Sequence, residues 1–309
     1  MFTMLFTIVG LAAFEIVSSI DNAVINAEVL QTMSPKARKW FLLWGMLFAV
    51  VAVRGLLPWL IVWGVMPDLG PVGALMSTMS SDPLVHLAVE KAAPVLFAGG
   101  GTFLLFLFFH WLFLEEKHFG LPHERFFARQ GLWFYAVVSI LLAFIVWTSL
   151  SIEPFMAFGA VIGSTAFFIT HGFKDNAERA EKELLSGNTK RSDVSKILYL
   201  EAIDTTFSID GVLGAFAFTL SVPLILIGNG IGALVVRQLT VSNIETIKKY
   251  IYLKNGAMYS LLILGLMMMC EAFGIHLPQW GAPLATILIL VAAVMKSRVH
   301  MRNGVRIAK

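Results

Sequence analysis

The chain has little charge and almost no cysteine. Only 14% of its 309 residues are Asp, Glu, Lys or Arg, where a soluble domain carries about 25%. That shortage excludes a water-facing shell around a globular core. The lone Cys270 rules out an intramolecular disulfide and any chemistry that needs a cysteine pair. Short strands of alternating polarity, the mark of a membrane barrel, are missing, and so are a phosphate-binding loop and a catalytic triad. The chain is not expected to be an enzyme; an intramembrane protease using two Asp is a remote alternative that lacks the Gly-x-Gly-Asp context. No Lys or Arg precedes the first apolar run, so that run lacks the positive start of a cleaved signal peptide and reads as a first permanent helix.

What is present is hydrophobic. The chain is 58% apolar, with 25 Phe and 14 Met and a mean hydropathy of +0.79. A bilayer core about 30 Å thick needs roughly 20 apolar residues per helical span, and helices satisfy their backbone polar groups internally. The expected fold is therefore an all-α, polytopic membrane protein. Apolar runs at 2–30, 40–66, 92–114, 131–150, 154–171, 197–220, 223–242, 256–274 and 280–296 give about nine spans. Basic residues gather in alternate loops: 31–39, 115–130, 172–196, 243–255 and the tail after 296. The intervening loops, 67–91, 151–154, 221–223 and 275–279, hold the single Lys91 between them. By the positive-inside rule the N-terminus is outside and the C-terminus inside. The net charge of +3 and pI near 9.0 belong to these loops and do not argue for nucleic acid. Within 172–196, the Lys- and Glu-rich stretch 177–185 predicts a short cytoplasmic amphipathic helix, a solvated connector. The loop 67–91 is expected to lie on the outer surface.

Carboxylates sit where apolar helix should be. The first run contains Glu15, Ser19-Ile20-Asp21-Asn22-Ala23-Val24, Asn26 and Glu28; the sixth contains Glu201, Asp204 and Phe207-Ser208-Ile209-Asp210-Gly211. An offset of 189 residues carries Asp21 onto Asp210 and Glu15 onto Asp204. The second and seventh runs each hold one arginine, Arg54 and Arg237. In the third and eighth, Gly100…Glu115 matches Gly256…Glu271. Helices 1–3 and 6–8 thus read as two copies of one unit, and the loop charges give them opposite orientations. Inverted repeats of this kind belong to secondary transporters with midplane sites. The boundaries follow: 1–120 is the first repeat, 121–196 the linking helices 4–5 with the cytoplasmic loop, 197–275 the second repeat, and 276–309 the last helix and tail. All lie within a single membrane domain, 1–309.

An ionised carboxylate at the centre of a span costs about 2.5–3.5 kcal/mol, so these acids need partners. The donors are oxygens of Asp, Glu, Asn and Ser, a set that suits hard divalent ions, Mg²⁺, Ca²⁺ or Mn²⁺, and not zinc or copper. Six residues turn an ideal helix through about 600°, which leaves Glu15 and Asp21 on different faces unless the helix breaks. Asn22, Asn26, Gly211 and Gly214 are candidate break points. Asp21 and Asp210 form the expected central pair, with Glu15 and Asp204 behind them. Glu201 shares a face with Asp204, and Ser19, Ser208, Asn26 and Glu28 are lesser candidates. Arg54 and Arg237 are the expected counter-ions or gating charges, and an intramembrane ion-pair lock is the competing reading.

The Ser19–Val24 stretch and Phe207–Asp210, with Glu201 and Asp204 upstream, resemble the TerC/Alx family of integral membrane proteins, part of a larger group of inverted-repeat exporters that includes the lysine-exporter type. The resemblance covers helices 1–3 and 6–8. It implies a bacterial inner-membrane protein linked by name to tellurium resistance and by function to manganese export, with Asp21, Asn22 and Asp210 on the family's acidic motifs. One position departs: Gly211 stands where the family usually has Ser, which removes an oxygen ligand. The expected function is export of a divalent cation, manganese above others, in exchange for protons. An exporter of a small organic solute and a non-transporting partner in metal supply or tellurite and stress resistance are the alternatives. The expected partners are the ion, the bilayer and either a second copy or another membrane protein, with no nucleic acid.

Other singled-out residues read as structural. His110 and His171 are expected at packing interfaces, and Glu115 and Glu271 at helix ends. Gly99-Gly100-Gly101 should permit close helix packing, the Met267–Met269 run should face the interior, and Asn229 marks a local kink in helix 7.

Overall fold

The computed structural model describes residues 2–45, 48, 55–76, 83–117, 120–185, 192–242 and 249–307. Its helices are α1 (Phe2–Ser18), α2 (Ile20–Gln31), α3 (Pro35–Trp40), a π-helical turn (Phe41–Gly45), α4 (Leu57–Val65), a 3₁₀ turn (Pro67–Leu69), α5 (Gly70–Met76) and α6 (Pro83–Leu114). After them come α7 (Pro122–Ala128), α8 (Trp133–Leu150), α9 (Pro154–Leu185), α10 (Asp193–Ala215), α11 (Val222–Ser242), α12 (Leu253–Ala272) and α13 (Gly281–Ile307). There is no strand among the described residues. The chain is an all-α, polytopic membrane protein.

Five helices are long and apolar enough to cross a bilayer: Lys91–Leu114 of α6, α8, Pro154–Phe173 of α9, α12, and Gly281–Arg302 of α13. The α4–α5 pair makes a sixth if it is one span, bent by 106° at the 3₁₀ turn. Helix α1 and Val222–Gln238 of α11 are apolar but shorter. Helix α10, where the sixth run was expected, carries Asp193, Glu201, Asp204 and Asp210 and stands outside both groups. The nine expected runs therefore differ in kind: among the shorter or polar ones, α1–α2 and α10 hold the acids and α11 holds Arg237.

Helices α6 and α12, the third in each expected unit, pack together, as do α2 and α10; α1 packs on α11 while α10 packs on α3, the π turn and α4. The α6–α12 and α2–α10 pairs run antiparallel. Gly100 meets Met268, Gly265 meets Leu104, and Glu115 meets Lys254, in falling order along α12. On the α2–α10 seam Asn26 bonds Asp204 and Thr32 accepts from Lys196. Helix α1 runs parallel to α11, with Leu11 against Gly228 and Glu15 against Gly232.

Small residues set these approaches, as they must where lipid offers helices no hydrophobic drive to associate. A Cβ on Gly99 would lie 2.9 Å from the Gly159 carbonyl, and one on Gly101 would lie 3.1 Å from that of Gly265. The glycine triplet packs closely, as its sequence suggests. Around it Phe103, Phe106, Phe134 and Phe167 are fully buried. His171 Nε2 and His110 Nδ1 hydrogen-bond at 2.8 Å between α9 and α6, with the His171 ring stacked on Phe167. Both histidines serve an interface.

One local expectation is corrected. The 177–185 stretch is no separate element: α9 runs unbroken from Pro154 to Leu185. No Gly or Pro follows Gly172 until Gly187, and the Lys, Glu, Arg and Ala between them carry the helix on. Asn229 lies within α11, which continues as one helix from Val222 to Ser242.

Candidate functional site

The first span breaks at Ser19, between Glu15 and Asp21, and not at Asn22 or Asn26. Ser19 has φ −92° and ψ 3°, yet Ser19 N still reaches Glu15 O at 3.1 Å and Ala23 N reaches Ser19 O at 2.9 Å. The axis is disturbed and not severed. The Ser19 hydroxyl donates to Glu15 Oε1 at 2.8 Å. Helix α10 does not break at Gly211 or Gly214. Those glycines make room instead: a Cβ on Gly211 would stand 2.9 Å from Glu15 Oε2, and one on Gly214 would press on the Phe14 ring at 2.6 Å. Gly232 of α11 closes on the Glu15 stem at 2.6 Å. Glu15, only 1% exposed, is thus held between α10 and α11. Gly211 gives up an oxygen ligand of its own, and the Glu15 carboxylate lies where its side chain would be.

A second acidic group lies further along α2 and α10. Asn26 Nδ2 donates to Asp204 Oδ1 at 3.0 Å, and Ser208 Oγ donates to the Asp204 backbone carbonyl. Glu201, one turn away on the same face of α10, lies against Gly45 of the π turn. Leu200 sets this register, buried among Val29, Leu30, Met33 and Phe41. Among the described residues, both Glu201 carboxylate oxygens and the Asn26 Oδ1 are buried and have no hydrogen-bond partner. These orphans are all acceptors. A carboxylate and an amide oxygen of this kind, beside Asp204, are donor types that a hard cation takes. Beyond them Ser34 Oγ donates to Asp193, and Lys196 Nζ donates to Thr32 O at 2.8 Å.

The expected residues therefore divide. Glu15 and Ser19 form one group; Asp204, Asn26, Glu201 and Ser208 form another. Asp210 is half-buried on α10 beside Gly211, Glu28 is half-buried along α2, and Arg237 is half-buried near the end of α11. The Asp21 and Asn22 side chains and the whole of Arg54 lie outside the described residues. Among the described residues no three His, Cys, Asp or Glu side chains gather in one place as a metal site; the second group combines two acids with an amide.

The two ends of the molecule differ. At the end holding the N-terminus, a cavity of about 710 Å³ is lined by Thr7, Phe97, Phe218, Thr219, Met267 and Glu271, among others. Buried Leu11 and Phe14 separate it from Glu15, with Phe14 and Phe218 rings 5.8 Å apart. At the other end, Glu115 pairs with Lys254 at 2.6 Å. Glu124, fully buried, accepts from Leu121 N at 2.6 Å, Asn255 Nδ2 at 2.8 Å and the Tyr259 hydroxyl at 2.9 Å. Sequence reading found Glu115 but missed this Glu124 cluster. The available signals were an acid in the first turn after Pro122 and a tyrosine inside apolar α12.

Lys117 joins the closed end, donating to the Trp111 carbonyl and lying 4.1 Å from the centre of its ring. Burial holds its ammonium down to about 8 from the ordinary 10.5; Glu115 opposes the lowering, Lys254 adds to it and Glu124 again opposes it. Between about pH 8 and 10.5 the unfolded chain then carries more of this proton than the folded one, so stability rises with pH across that window. The side chain is half-exposed, so the gain is modest. Melting temperatures of the native chain and Lys117→Met should converge or cross as pH rises from 7.5 to 10.5; parallel curves would refute the buried ammonium.

The sequence family described as a protein of unknown function, DUF475, matches residues 20–304. No curated protein and no solved structure matches the chain. The family match takes in both acidic stretches except Glu15, together with the cavity-lining turn and the closed end, and on that extent the chain belongs to the DUF475 family.

Proposed function

We propose that the chain is a secondary transporter that exports a divalent metal cation, with manganese the favoured cargo, from the cytoplasm of a bacterial cell across its inner membrane. One observation carries the reading: Asn26 and Glu201 present three buried oxygen acceptors without a donor among the described residues, beside Asp204. A structural ion-pair network would show the opposite, acceptors matched to donors. The oxygen-only donor set suits Mn²⁺, Mg²⁺ or Ca²⁺, and the TerC/Alx resemblance favours the first. Antiparallel units that meet at the acids support a transporter. The basic loops put the cavity on the outer side.

Exporting two charges against 100 mV costs about 4.6 kcal/mol, at 2.3 per charge, so the cycle needs a driving ion. Proton exchange supplies it, because carboxyl groups cross the apolar layer more cheaply when neutral. The test is Mn²⁺ flux into liposomes holding the purified chain, with and without an imposed pH gradient. Flux that follows the gradient and disappears in Asp204→Asn is expected. Flux blind to the gradient would remove the exchange; no flux and no Mn²⁺ binding would remove the function.

A second reading rests on the cavity, whose 710 Å³ falls in the range of organic-ligand pockets. A cationic organic solute could use the same carboxylates. Competition by lysine or arginine against Mn²⁺ binding would favour it.

A further inference from the structure

Asn229 is fully buried, and neither its amide nitrogen nor its amide oxygen has a hydrogen-bond partner among the described residues. A buried amide left without partners is costly, and helix α11 has no structural need of one. From Val222 to Val236 it is the single polar side chain in an otherwise aliphatic and glycine-rich helix. Its place is informative. Gly228, the residue before it, lies on Leu11, and Gly232, three residues on, lies on Glu15. Because α1 and α11 run parallel, Asn229 stands at the level between the apolar plug and the first carboxylate. One turn nearer the cavity, Ile225 is fully buried, and Leu224 and Ile227 line the cavity itself.

The helical positions 222, 225, 229 and 236 share one face. Val222 and Ile225 on that face pack in the same core cluster as Phe14 and Phe216. Asn229 is therefore directed inward, at a level of α11 between the cavity and Glu15. An amide carbonyl is an acceptable ligand for a hard divalent ion and adds no charge to the membrane interior. We propose that Asn229 is a neutral-oxygen ligand for the permeating divalent cation, passed between the cavity and Glu15; the assignment rests on the cation-transport reading above.

The physics separates this role from a tolerated imperfection of packing. If Asn229 only fills space, leucine removes two orphaned polar atoms and leaves ion binding alone. The experiment measures Mn²⁺ affinity by titration calorimetry on the purified full chain, and melting temperature in the presence of chelator, for native protein, Asn229→Leu and Asn229→Asp. The expected result is at least tenfold weaker Mn²⁺ binding in Asn229→Leu, with a melting temperature equal to or above native, and retained binding in Asn229→Asp. Native affinity in Asn229→Leu overturns the assignment while leaving the transport reading intact. If Asn229→Leu does not fold, Asn229→Ala carries the same expectation and the same refutation. If the native chain binds no Mn²⁺ while remaining folded, the transport reading fails and the assignment fails with it.

Discussion

Gly163→Leu is expected to abolish the folded protein. A Cβ at Gly163 would fall on the Gly99 carbonyl, with the Gly99 carbon next at 2.7 Å. Backbone, unlike the tip of a side chain, has no rotamer with which to move aside. Helices α6 and α9 would have to separate along the seam where Gly159 also meets Val95 and His171 meets His110. Overpacking of an ordinary core costs about 1–3 kcal/mol and sometimes more; here the clash is with backbone and the whole seam must open. Gly172, nine residues on in the same helix, has nothing within 4 Å of its Cβ position. Gly172→Ala should therefore be tolerated, and should stabilise α9 by up to about 1 kcal/mol through helix propensity. Yield and thermal unfolding of the detergent-extracted variants test the pair. Equal behaviour of the two would mean that α6 and α9 do not approach as described.

Glu201→Met is expected to make the ion-free protein more heat-stable and blind to manganese. Both Glu201 oxygens are buried without a donor among the described residues, so on the proposed function the carboxylate is a liability in the ion-free protein. A ligand that binds only the folded state adds about 2.7 kcal/mol when present at 100 times its Kd. The native chain should therefore gain several degrees on addition of Mn²⁺ and lose them with chelator. In Glu201→Met the chelated melting temperature should rise and the Mn²⁺ increment should vanish. Asp204→Asn should also lose the increment but gain less, because Asp204 already holds the Asn26 amide. A variant still stabilised by Mn²⁺ to the native extent would remove Glu201 from the site.

Much of this was legible in the residues. The all-α membrane class follows from the apolar runs, which depend on local composition alone, whereas five helices, or six with the bent pair, and not nine, are long and apolar enough to span among the described residues. The expectation of a repeat rests on Asp21, Asp210 and their upstream acids keeping one spacing, and α2 with α10 and α6 with α12 run antiparallel where they meet. What sequence could not give is how the acids partition. Glu15 and Asp204 are repeat equivalents, yet Glu15 takes a serine and two glycine faces while Asp204 takes Asn26. That difference depends on residues far apart in the chain: Gly211 and Gly232 close on Glu15 only after α1, α10 and α11 assemble. The irregular turn between α1 and α2 falls at Ser19 and not at an asparagine or glycine, and the Ser19 hydroxyl bonds Glu15 one turn back. The Glu124 cluster was hidden for the same reason, since Asn255 and Tyr259 reach it from α12.

The unequal ends have a mechanical consequence. The offset of 156 residues that carries Glu115 onto Glu271 also carries Ala98 onto Lys254. One end of the α6–α12 seam thus has a latch, and its twin has a methyl group where the catch would be. Glu271 instead takes its bonds from Leu277 N at 2.6 Å and His276 at 3.1 Å, within its own turn. Tilting one unit against the other to open the latched end must break an ion pair and the buried Glu124 bonds. Closing the cavity end breaks no such pair among the described residues. The α6–α12 seam is in this way held more firmly at one end than at the other, and Lys254 is the residue that makes the difference.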